Sequence, residues 1–436
     1  MTLKTLPDYP DRYALSNELH ARPFPVLDAP CNAVFLAIKQ PKNAAERDRS
    51  VDIAHLIELL DRYGSPHPPP GASHYSGAVG RGFLKWEMHT EVVTYTFYTG
   101  DRVGEPFSSD LFKLFPADWL AKAPGNAVTT SIVRIETVAP DDRARVMEEK
   151  FPTWFVAESL AASRVTEDHA IIAGDFRIDE NGHSRFAVLA NPEISSARLG
   201  RITQRVLEVE LYKSLSMLTL PEARKVASTL DRLDRELSSN ALGLEQSHGQ
   251  EREDLDRLLK ISAEIEQLST NTAFRFGAFE AYSAIVGQRI EALREQRVGD
   301  SQLFSEFMMR RFDPAMRTCR SARKRLEDLS SRASRAANLL RTRVDVANQE
   351  YNNETLRQMD NRAAMQLRLQ KTVEGLSVVA ISYYAVNLLA GLLGPVGKTL
   401  GLDKVTLVAI LTIPVIVMVW KTVHRIREKL EGDDAP

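Results

Sequence analysis

Two stretches near the C-terminus, residues 376–393 and 405–420, carry no charged side chain. As helices at about 1.5 Å per residue they reach roughly 27 and 24 Å, close to a ~30 Å hydrocarbon core once flanking side chains snorkel. The connector "GPVGKTLGLDK" (394–404) divides them. A pair of buried core helices would need partners, and the sequence supplies none, so the expectation is a two-helix transmembrane hairpin. Pro414 is expected to kink the second span without preventing it. Arg362, Arg368 and Lys371 precede the hairpin, and Lys421, Arg425, Arg427 and Lys429 follow it. The connector holds Lys398 and Lys404 against Asp403. Larger basic clusters stay inside, so both termini and the bulk of the chain are expected on the cytoplasmic side, with the connector crossing the membrane.

The first span is not uniform around its axis. At about 100° per residue, Ser377, Ala380, Tyr384, Asn387 and Gly391 fall within an arc of ~80°, with Gly394 at its end. Gln366 and Gln370 continue the line toward the cytosol. An asparagine facing lipid is costly, so this stripe should meet protein or water. It reads either as small-residue helix packing with Asn387 as a hydrogen-bonding contact, or as the lining of a path shared by several copies.

Elsewhere the chain is that of a globular protein. Of its 436 residues 44% are hydrophobic and 26% charged, so any membrane portion is local. The net charge of −2, with signs interspersed, argues against nucleic acid as a partner. Cys31 and Cys319 stand alone, as in a reducing cytosol. The N-terminus has no apolar run behind a basic patch, and no signal peptide is expected.

Residues 1–200 are expected to form a cytosolic α/β domain within an α+β protein. "NAVFLAIK" (32–39), "FLKWEMHTEVVTYTFY" (83–98) and "AVTTSIVRIETV" (127–138) have the β-branched and aromatic content of strands. Asn181-Gly182 marks a hairpin turn. Residues 46–64 read as a helix with Val51, Ala54, Leu56, Leu59 and Leu60 inside and Gly64 as its stop. "HPPPGASHYSGAVGRG" (67–82) reads as a mobile loop.

After about residue 198 strand signals vanish, and residues 201–375 are expected to form long antiparallel coiled helical arms. Val226, Leu230, Leu233 and Leu237 make one seam, and a second helix covers 251–297. Asp313-Pro314 then suits an N-cap and first position. From there to Leu393 no stop appears, which gives a helix roughly 120 Å long entering the first span. Cys319, Leu326, Leu329, Ala333, Ala336, Leu340, Val344, Ala347 and Tyr351 give it one apolar side needing neighbours. Residues 376–420 are the hairpin, and 421–436 a basic then acidic tail.

No constellation points to catalysis, and the expectation is that the chain is not an enzyme. His20 and Arg22 in "ELHARPF" suit an anion or regulatory site, or structural hydrogen bonds in an arm that packs Phe24 on the domain. The histidines lack metal spacing. Glu167, Asp168 and His169 read as a solvated turn. "GAVGRG" (77–82) precedes a strand rather than a helix and so lacks the dinucleotide-binding context. "EREDLDRLL" (251–259) reads as a solvated face with internal ion pairs, ahead of a cation sensor.

Two resemblances follow. "SNELHARPFP" (16–25), with the two-span C-terminus, resembles a bacterial family of uncharacterised membrane-anchored proteins. The layout, and the runs "LSVVAISYY…AGLLG" and "PVIVMVWKTVHRIREK", resemble the CorA magnesium/cobalt transporter superfamily. That resemblance implies a homo-oligomer, a pentamer around the first span, and a divalent cation such as magnesium as cargo. The family's Gly-Met-Asn signature is replaced by Gly394-Pro395-Val396, which keeps only the glycine. Two lysines against one aspartate in the connector would not concentrate cations. A non-conducting membrane-anchored scaffold or sensor is the alternative.

Overall fold

Strand-forming segments scattered between Cys31 and Arg297 close into one mixed sheet of nine strands. The computed structural model describes residues 6, 8–18, 23–41, 47–100, 105–243, 251–399 and 403–433. In chain order they form α1 (Arg12–Glu18), β1 (Cys31–Lys39), α2 (Arg49–Tyr63), β2 (His74–Val79), β3 (Gly82–Met88) and β4 (Val92–Thr99). Then come α3 (Ala117–Leu120), β5 (Asn126–Thr137), α4 (Arg143–Trp154), β6 (Ala161–Val165), β7 (Ala170–Ile178) and β8 (Ser184–Ala190). The rest is α5 (Ser196–Met217), α6 (Thr219–Gly243), α7 (Glu251–Leu293), β9 (Gln296–Arg297), α8 (Phe304–Phe307), α9 (Asp313–Thr399) and α10 (Lys404–Asp433). The chain divides into two compact units, Met1–Ser247 with Asp256–Ala337, and His248–Leu255 with Asn338–Pro436.

In the first unit the sheet order is β2-β3-β4-β1-β5-β8-β7-β6-β9. Neighbouring strands run antiparallel except β5 with β8. All eight residues of β4 are buried, because both faces of the sheet are covered. Val93, Tyr95 and Phe97 enter an aromatic core with Leu56 of α2, Trp119 of α3 and Trp154 of α4. The alternate residues Thr94, Thr96 and Tyr98 border α5 through Gln204, Leu207 and Leu211.

The expected strands are present, and Gly182 takes φ 89° in the β7–β8 turn. Four local expectations are corrected. Residues 67–82 are not all loop: His74–Val79 forms edge strand β2 and pairs with β3 across Gly80-Arg81. Strands do not end at residue 198, because Gln296–Arg297 returns to pair with β6. In α2, Val51 and Ala54 are exposed while Asp52 and His55 are buried. The helix start at Asp313 is not an entry from a loop, since α8 and a π-helical turn over Met308–Phe312 lead directly into it.

Three helices then pack together. Val226, Leu230, Leu233 and Leu237 of α6 are buried, as are Ile265, Phe279 and Val286 of α7 and Cys319, Leu326, Leu329 and Ala333 of α9. Arg325–Asp231 (2.6 Å) and Arg332–Asp234 (2.5 Å) tie α9 to α6, and Arg323–Glu280 (2.5 Å) ties it to α7. In the second unit Leu340 is buried and Val344 half-buried. Ala347 is exposed and Tyr351 is 73% exposed in the single chain.

Candidate functional site

The last part of α9 and α10 make the hairpin. Two helices, Phe304–Val396 and Lys404–Ile426, contain windows long and apolar enough to cross a membrane. Only 17% and 6% of those windows are buried, which sets them apart from the core helices of a globular domain. α9 does not stop at Gly394 but continues through Pro395 to Thr399. Pro395 has no N–H, so the Gly391 carbonyl loses its i+4 donor. α10 likewise continues through Pro414.

The two helices meet on one face of the first span. Ser382, Val386 and Ala390, four residues apart, are buried, and Val378 is half-buried above them. A cavity of about 300 Å³ lies along this seam, with Val408, Thr412 and Ile416 on its far wall. Thr412 Oγ1 donates to the Val408 carbonyl (2.7 Å), which satisfies it inside its own helix. Ser382 Oγ is buried and has no hydrogen-bond partner among the described residues.

The polar stripe lies elsewhere. Ser377, Ala380, Asn387 and Gly391 are exposed, Tyr384 is 69% exposed, and Gly394 is half-buried. Nothing stands within 4 Å of a Cβ built on Gly391 or Gly394. At about 100° per residue the stripe is centred roughly 140° from the Ser382–Ala390 seam, with Asn387 at the edge nearer to it. Asn387 Nδ2 donates to the Tyr383 carbonyl (3.0 Å), one turn back in the same helix. The structure thus keeps the five stripe residues on one face, of which Ser377, Ala380, Tyr384 and Gly391 point away from α10 while Asn387 borders the seam cavity.

Sequence reasoning missed Ser382 and Thr412, which line the seam cavity together with Asn387. The available signal was the four-residue spacing of Val378, Ser382, Val386 and Ala390, a second small-and-apolar stripe opposite the first.

His20 and Arg22 lie outside the described residues. The segment that follows them is anchored, though not through Phe24, which is exposed. Pro25 and Leu27 are buried instead. The Leu27 N–H donates to the Ser196 carbonyl (3.1 Å), and Ser196 Oγ to Asp28 Oδ1 (2.6 Å), at the start of α5. Among the described residues no three His, Cys, Asp or Glu side chains gather as a metal site.

Sheet domain, helical bundle and hairpin together define a mixed α+β protein with two C-terminal helices long and apolar enough to span a membrane. The chain belongs to the family described as "Protein of unknown function (DUF3422)", whose model matches residues 7–430. No curated protein and no solved structure matches it.

Proposed function

We propose that the protein is a homo-oligomer of the bacterial inner membrane in which the first spans of several copies meet on the stripe of Ser377, Tyr384, Asn387 and Gly391 around a shared axis. Both termini and the sheet domain are cytoplasmic, and the axis serves as a path for cations, divalent ones such as magnesium by the CorA resemblance. The observation that carries this reading is that the hairpin covers the Ser382–Ala390 side of the first span and leaves the polar stripe exposed, with Asn387 at its border with the seam cavity. An uncovered amide in hydrocarbon is expensive, so another copy or water must meet it. The Gly391 carbonyl, deprived of its helical donor by Pro395, adds an acceptor on the same stripe.

A second reading is a membrane-anchored scaffold or sensor that does not conduct. The internal hydrogen bond of Asn387 to Tyr383 supports it, since an amide satisfied in its own helix needs less from outside.

Particle symmetry of the detergent-purified chain, with cation flux into liposomes, tests the pair. A closed ring of five copies with flux that Asn387→Leu or Gly391→Leu blocks is the expected result. A monomer or dimer excludes a central path. A ring without flux leaves the scaffold.

A further inference from the structure

The β6–β7 turn passes through Thr166, Glu167 and Asp168, with φ of 50°, 61° and 67°. None is glycine, and residues with a Cβ seldom adopt this region even singly. Long-range ties hold the turn. Arg143 Nη1 donates to Asp168 Oδ1 (2.7 Å) and its Nη2 to the Asp168 carbonyl (3.1 Å). The Thr166 N–H donates to the Leu293 carbonyl (2.8 Å) at the end of α7. Just beyond, Arg294 also has positive φ (52°), and its guanidinium pairs with Glu167 (2.6 Å). Backbone held this far from its preferences by distant contacts is characteristic of ligand clamps.

The turn, the end of α7 and the first turns of α5 enclose a cavity of about 190 Å³ lined by Thr166, Glu167, Arg198, Arg201, Arg205 and Arg294. At about 100° per residue the three α5 arginines lie within a ~60° arc. Four guanidiniums therefore face one carboxylate. Arg294 is engaged by Glu167, and Arg205 Nη1 donates to the Ala292 carbonyl (2.9 Å). Arg198 and Arg201 are half-buried, and neither has an ion-pair partner among the described residues. Thr166 Oγ1 is buried without a hydrogen-bond partner among the described residues. Burial, then the neighbouring charges of Arg201, Arg289 and Arg294, hold Arg205 below the ordinary arginine range despite Glu208. Like charges gathered in a partly desolvated space are unfavourable unless an anion is shared among them.

We propose that this cavity binds a small phosphate-bearing anion, gripped by the forked donors of Arg198 and Arg201 with Thr166 Oγ1 as a further donor. Guanidinium planes match phosphate oxygens two at a time, which suits a site with two unengaged arginines on one helix face. One water occupies about 30 Å³ of liquid, so the cavity takes roughly six waters' worth, enough for a phosphate or pyrophosphate group. The assignment is independent of whether the first span lines an ion path.

The test titrates inorganic pyrophosphate into the full chain in detergent while mass spectrometry follows phenylglyoxal modification of each arginine. Arg198 and Arg201 should be protected several-fold, and chloride at equal ionic strength should not protect them. Calorimetry on Arg198→Ala/Arg201→Ala should show pyrophosphate binding weakened roughly tenfold or more, from loss of charge-assisted hydrogen bonds. Protection that chloride reproduces, or affinity unchanged in the double variant, overturns the site. The labelling uses the unaltered chain, so a variant that fails to fold does not blunt it. Nanodiscs of phosphatidylcholine, alone or with phosphatidylglycerol, then separate the sources. Protection by phosphatidylglycerol without pyrophosphate assigns a lipid headgroup, and its absence assigns a free solute.

Discussion

A Cβ on Gly200 would stand 1.7 Å from the carbonyl oxygen of Pro25, so the segment after the N-terminal "HARPF" stretch is seated directly on the backbone of α5. The contact is backbone on backbone and has no flexible side chain to yield. Gly200→Ala should therefore lift the segment away and destabilise the first unit by about 1–3 kcal/mol, as overpacking does. Denaturant melts measure the loss, and limited proteolysis should cut faster before residue 28. Unchanged stability together with unchanged cleavage would contradict the contact.

Arg47 and Asp52 form a buried ion pair, 2.7 Å apart with side chains 2% and 1% exposed. Arg47 Nη1 also donates to the His89 carbonyl (2.6 Å), which ties α2 to the turn before β4. Removing one partner leaves an uncompensated interior charge, so Asp52→Ala should cost about 3–5 kcal/mol. The apolar double replacement Arg47→Met/Asp52→Leu should cost much less. Equal losses in the two variants would refute the pairing.

His55 is held neutral in the core. Its Nε2 donates to the Trp119 carbonyl (3.2 Å) and its Nδ1 accepts from the Tyr95 hydroxyl (3.0 Å). Burial lowers its pKa, outweighing the Trp119 carbonyl, Glu58 and Asp52, which act to raise it. The unfolded chain takes up a proton below about pH 6.5 while the folded chain resists until lower pH. The contribution of His55 is thus complete above ~6.5 and is lost as pH falls through ~6.5 toward the depressed folded value. Urea melts between about pH 7 and 5 should show this decline, and His55→Gln should remove its share of the slope. His183, also depressed by burial, keeps its own. An identical slope in the variant would sink the assignment.

Burial, then the charge of Asp28, push the Cys31 thiol up to about 12 against the pull of Arg134. Burial also raises Cys319. Since the thiolate is the reactive form, neither should react with an aromatic disulfide reagent at about pH 8 in the native chain. Both should react at once after denaturation. Fast labelling of the folded protein would count against the burial of both.

Much of this architecture was legible where pattern and burial agree. β1, β4 and β5 are covered on both faces, so their run of β-branched and aromatic residues announced them. The α6 seam was equally plain. The inner face of α2 was not. Periodicity favoured Val51 and Ala54, whereas Asp52 and His55 go inside because Arg47, Tyr95 and the Trp119 carbonyl receive them. Two of those partners lie 40 and 64 residues away, beyond any local window. β2 was hidden in a Pro/Gly/Ser-rich stretch because it is an edge strand that needs few apolar residues. The hydropathy of the first span revealed the hairpin and its polar stripe, but not which side α10 would cover. The Arg198–Arg201–Arg205 spacing was visible, yet on a surface helix such arginines are common. Only the positive-φ turn from β6 to β7 makes them a cavity.

The pairing of β9 with β6 bears on how the polypeptide is made. β6 ends at Val165, and its outer edge is closed by Gln296–Arg297, about 130 residues later in synthesis. At a translation speed of roughly 5–20 residues per second, that edge stays unpaired for some 7–26 seconds after it leaves the ribosome. An unpaired strand edge recruits other strands, so this interval is when the nascent chain is most prone to aggregate. Truncations ending before residue 296 keep the edge open permanently.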